Sequence, residues 1–76
     1  EVYPNPSNEW VRIDLPRYDK DWSVALYDLT GRLVLEKSQI NERSIVLEKE
    51  GIAPGMYVLK IVNGSGQIHT EKIIFE

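Results

Sequence analysis

The sequence predicts an all-β fold, a small sandwich or barrel of antiparallel strands. Two observations carry this. Six or seven short segments alternate apolar and polar residues with a period of two, spaced by ~8–12 residues with turn signals between them. No window repeats apolar residues at i, i+3, i+4 and i+7 with caps, so helix content is expected to be near zero.

The segments follow in order. Val2 and Tyr3 fit a short edge strand, ended by Pro4-Asn5-Pro6. Two prolines one residue apart forbid helix and remove two amide donors, which suits a rigid lead-in to the first sheet. From Trp10 to Leu15, Val11, Ile13 and Leu15 share one side and Trp10, Arg12 and Asp14 the other. Residues 16–21 form a polar break. Its Asp19 and Asp21, with Asp14, invite a calcium reading, but the glycine and distal glutamate of an EF-hand loop are missing.

Trp22 to Leu29 is apolar on both faces and is expected to be buried on both sides or central in its sheet. Asp28-Leu29-Thr30-Gly31 then reads as a turn, with Gly31 in the left-handed position. Leu33 to Leu35 returns as a strand, Glu36-Lys37-Ser38 leads to the surface, and residues 40–43 form a polar connection. Ser44 to Glu48 is a further strand, with Ile45 and Leu47 on one face.

Gly51 to Val62 organises the rest. Gly51, Pro54 and Gly55 make a turn. Tyr57, Leu59 and Ile61 then alternate with Val58, Lys60 and Val62. A tyrosine just past a Pro-Gly bend occupies the place of the tyrosine corner in Greek-key sandwiches, where the hydroxyl bonds back to upstream backbone. The alternative is an amphipathic core aromatic with its tip in water. Asn63-Gly64-Ser65-Gly66 is a hairpin turn leading to a last strand, Gln67 to Phe75. Asn63-Gly64-Ser65 also matches a glycosylation sequon, although the turn accounts for these residues. The two tryptophans, four tyrosines and Phe75 are expected to fill the space between the sheets.

Composition bounds the function. A chain of 76 residues makes one domain, here residues 1–76, and buries only about 60–65% of its unfolded surface. A formal net charge of −3 and scattered basic residues argue against nucleic acid. No apolar run nears the ~20 residues that span a bilayer, so no membrane insertion is expected. The absence of cysteine excludes disulfides and cysteine-based zinc sites and, taken alone, favours the cytosol. No catalytic constellation, metal site or cofactor loop is found. His69, the single histidine, reads as a surface or edge-strand residue, since a general base needs positioned partners.

Four segments in order then resemble a known family: Tyr3-Pro4-Asn5-Pro6, Leu26 to Val34 around Asp28-Leu29-Thr30-Gly31, Gly55-Met56-Tyr57 with the strand after it, and Lys72-Ile73-Ile74-Phe75. The chain resembles, over nearly its whole length, the C-terminal sorting domain of proteins exported by the type IX secretion system. The resemblance implies an immunoglobulin-like two-sheet sandwich of about seven strands with no enzymatic activity. It implies a larger carrier protein, of which this chain is one piece. It also implies passage through the periplasm, release or surface attachment, and two partners: an outer-membrane translocon and a sortase-like surface peptidase. The recognition residues it implies are Pro4, Asn5, Pro6, Gly31, Gly55, Tyr57, Lys72, Ile73 and Ile74. Many relatives end in a basic residue, whereas this chain ends in Glu76. Self-association through an open strand edge is a further expectation. The rival reading, a carbohydrate- or protein-binding module of an extracellular enzyme, needs an exposed aromatic patch, for which Trp10 and Trp22 are the candidates.

Overall fold

The computed structural model describes residues 2–3, 9–15 and 20–76. Among these the strands are β1 (Val2–Tyr3), β2 (Trp10–Asp14), β3 (Trp22–Asp28), β4 (Leu33–Ile40), β5 (Ser44–Glu48), β6 (Gly55–Val62) and β7 (Ile68–Phe75). Pro4, Asn5, Pro6 and Asp19 lie outside the described residues.

The strands form two antiparallel sheets, β1-β2-β5 and β4-β3-β6-β7. The expected sandwich is therefore present, and its apolar phase is the predicted one. Val11, Ile13 and Leu15 point inward from the first sheet, with Leu47 of β5. Val24 and Leu26 of β3 lie opposite Ile61 and Leu59 of β6, and Tyr57 of β6 lies opposite Ile73 of β7. All of these are buried in one core. Removing this apolar area from water is what holds two thin sheets together in so short a chain.

Three expectations change. Strand β4 runs on through Ile40 rather than ending near Leu35. Its polar middle is tolerated because β4 is an edge, where backbone pairing continues without burial. A register shift lies between Trp22 and Val24 of β3, Gln39 takes φ 56°, and Ile40 comes out buried opposite Trp22. Second, of the two readings of Trp22 to Leu29 the central one holds: β3 is central but not buried on both sides. Its second face, with Ser23, Ala25 and Tyr27, is only half-buried, because no third layer covers it. Leu29 is exposed.

Third, the aromatics divide. Trp22, Tyr57 and Phe75 lie in the core, while Trp10 is 40% exposed. Trp22 is thus not an outward candidate: it shares the phase of Val24 and Leu26. Its Nε1 is buried and has no hydrogen-bond partner among the described residues.

Candidate functional site: one end of the four-stranded sheet

The motif residues within the described part of the chain converge on one end of the four-stranded sheet. Across β3, β6 and β7, Asp28 lies opposite Tyr57 and Tyr57 opposite Ile73. Met56 lies opposite Ile74 and Val58 opposite Lys72. The Gly-x-Tyr and Lys-Ile-Ile motifs, fifteen or so positions apart in sequence, are adjacent rungs of one ladder. The turn holding Gly31 closes β3 onto β4 at the same end.

Each motif residue can be assigned what it touches. Tyr57 makes the corner: its hydroxyl donates to the Ala53 carbonyl, and its ring meets Phe75 edge-on with centroids 6.0 Å apart. The amphipathic alternative is set aside, because the tip is used. The corner loop is tied to both sheets. Lys49 donates its amide to the Glu9 carbonyl beside β2, and Ile52 donates back to Lys49. Gly55 follows with φ 151°, a region open to glycine but strained for other residues.

Gly31 takes φ 89°, and a side chain there would meet nothing within 4 Å. Backbone conformation alone therefore accounts for glycine at this turn. Asp28 organises it: Oδ1 accepts from the Thr30 amide and hydroxyl and the Arg32 amide, and Oδ2 from Arg32 Nε. The Thr30 hydroxyl, followed by the Arg32 amide, holds the Asp28 carboxyl below its ordinary value. A lowered folded-state pKa contributes stability above the unfolded-state value, and that stability is lost as pH falls through the folded-state value. Asp28→Ala is therefore expected to shift the urea midpoint down near neutrality. The gap to wild type should be narrower near pH 3, below the ordinary carboxylate value, and keep narrowing as pH falls through the folded-state value. An equal gap at both pH values would mean the charge is not what the turn uses.

The Lys-Ile-Ile motif splits between faces. Ile73 is fully buried, so its side chain acts through packing. Lys72 is exposed and Ile74 half-buried on the opposite, outer face. His69 and Glu71 share the core-facing side of β7 where the sandwich opens, with Nε2 and Oε1 2.8 Å apart on the surface. Charges on an edge strand discourage uncontrolled strand pairing. Asn63 is buried and committed to its turn. Its Oδ1 accepts from the Ser65 and Gln67 amides, and its Nδ2 donates to Gln67 Oε1, so the sequon is a structural device. Among the described residues, no group of acidic or histidine side chains is placed to hold a metal.

Sequence reasoning missed the outer face of the four-stranded sheet. Leu33, Met56 and Val58 are exposed there, beside half-buried Tyr27 and Ile74. Part of the signal is in the sequence: Trp22 to Leu29 carries apolar residues in both phases, a pattern that fits a strand buried on both sides or one central in its sheet.

Two facing sheets with this strand order and a tyrosine corner define an immunoglobulin-like sandwich module. The profile of the family "Secretion system C-terminal sorting domain" matches residues 1–76, and the chain belongs to that family. It is a type IX C-terminal secretion signal, and its carrier is exported, to be secreted or attached to the surface. This overrides the cytosolic leaning drawn from the missing cysteines. The chain is similar to a protein named ulvan lyase NLR42 from Nonlabens ulvanivorans, at 30% identity over 74 residues. That match covers 96% of this chain and spans 14% of the relative's length. It is also similar to the crystal structure of CopC from Methylosinus trichosporium OB3b, at 27% identity and a TM-score of 0.50, covering 95% of this chain and 78% of that one.

Proposed function

We propose that the export machinery reads this domain folded, at the motif-bearing end, chiefly along β7. One observation carries the reading: the register sets Gly55 to Val58 directly opposite Phe75 to Lys72 on the outermost strand pair of the sheet. An edge strand offers backbone groups that a partner strand can extend, and Lys72 adds an exposed cation to the neighbouring surface. Gly31, Gly55, Tyr57 and Ile73 serve recognition by holding that surface in shape. Pro4, Asn5 and Pro6 complete the motif set in sequence.

In this reading residues 1–76 are a single sorting domain of a larger carrier, and the domain itself catalyses nothing. The carrier crosses the periplasm, the outer-membrane translocon is the first partner, and a sortase-like surface peptidase is the second. A sugar-binding platform finds less support, since Trp22 is buried and Trp10 stands without it. The test is export of a carrier bearing Lys72→Ala, with folding checked by thermal melting. The secreted fraction is expected to fall severalfold while Tm stays close to wild type. Normal secretion by the folded variant would remove Lys72 from the recognition surface.

A further inference from the structure

The outer face of the four-stranded sheet carries a continuous apolar strip that the core does not use. In one row Leu33, Tyr27, Val58 and Lys72 follow one another across β4, β3, β6 and β7. In the next row toward the motif end, Met56 sits beside Ile74. Leu33, Met56 and Val58 are 46%, 39% and 37% exposed. Scattered surface apolar residues need no explanation, but a contiguous strip with a polar border marks an interaction surface.

The border is charged, and its sign differs from that of the whole chain. Lys72 ends the first row. Lys60 lies in the row behind it, opposite Ala25 and Thr70, and Glu36 lies beyond Ala25. Ser23, Ala25, Tyr27, Glu36, Lys60 and Val62 line one shallow depression on this face. Lys60 and Lys72 with Glu36 on these rows, and Lys37 on the rim of the depression, thus border the strip, on a chain whose formal net charge is −3.

We infer that this face docks a protein component of the export machinery whose own surface is apolar at its centre and acidic at its border. The inference rests on the reading of the folded domain as the signal, and it names the surface that reading requires. A second copy of the domain is the competing occupant, and the light-scattering comparison below tests it. Electrostatic complementarity of this kind selects partners and speeds encounter more than it adds affinity.

The experiment uses a carrier fused to the full domain and measures the fraction secreted. Met56→Glu with Val58→Glu places two charges on exposed positions. It is expected to lower secretion by about tenfold or more, as loss of central interface contacts does. Val46→Glu, at an exposed position on the other sheet, is the control and is expected to leave secretion unchanged. Lys60→Glu tests the border and decides the question should the double variant fail to melt cooperatively. Normal secretion with Lys60→Glu, or equal losses from Val46→Glu and the double variant, would overturn the inference. So would a wild-type dimer in light scattering that the double variant dissolves while secretion is normal. A wild-type fusion that stays inside would instead defeat the sorting reading itself, and the two failures are distinguishable.

Discussion

Phe75→Ala is expected to cost about 3–5 kcal/mol of stability, the range for removing a buried phenylalanine from a packed core. Phe75 is 1% exposed, the last inward residue of β7, and packed edge-on against Tyr57. It lies opposite Gly55, which has no side chain to fill the gap. A domain of 76 residues has a total stability of about 4–11 kcal/mol at the usual ~0.05–0.15 kcal/mol per residue. The variant therefore loses between about a quarter of its stability and all of it, and toward the lower end of that stability range a large fraction is unfolded. Urea unfolding followed by tryptophan fluorescence measures this through the buried Trp22. Phe75→Leu keeps most of the volume and is expected to cost far less. Secretion should track the folded fraction across the two variants. Secretion that stayed at wild-type level with a largely unfolded Phe75→Ala domain would mean that the machinery reads an extended peptide rather than a sandwich.

Burial at Phe75 was legible in the sequence, because Tyr57, Leu59 and Ile61 set the inward phase of β6 and the turn at Asn63 carries that phase onto β7. The same logic placed Val11, Ile13 and Leu15 correctly. Period two is a reliable signal where one face is dry and the other wet. It fails at β4, whose Glu36 to Gln39 carry no inward pattern yet belong to the strand, because an edge is held by backbone bonds to β3. It is ambiguous on β3, where an apolar outer face reads the same whether covered by a third layer or left at the surface. The juxtaposition of the Gly55 and Lys72 motifs needed register, which a single strand's pattern does not contain. What each motif residue does also needed coordinates. Gly31 takes a left-handed conformation and Ile73 is buried, while Lys72 and Ile74 lie on the outer face.

Tyr57 separates these roles further, since one side chain supplies both core volume and the corner. Tyr57→Ala is expected to cost about 3–5 kcal/mol, close to Phe75→Ala, because it empties the same part of the core. The two losses should not add, since the rings touch and share one cavity once either is removed. Tyr57→Phe keeps the ring and removes only the hydroxyl that Ala53 accepts from. Ala53 is exposed, so water can take the vacated place, and the cost is expected near the low end of the ~0.5–1.5 kcal/mol of a typical hydrogen bond. Its consequence is local. The loop from Lys49 to Pro54 is pinned by Glu9, just ahead of β2 in one sheet, and by the Tyr57 hydroxyl of the other. Releasing one pin should raise hydrogen exchange at the Ile52 amide, which bonds within that loop, while the β6 amides stay protected. Faster exchange spread evenly over β3, β6 and β7 would instead mean that the corner stabilises the whole domain and does not act as a local clasp between its sheets.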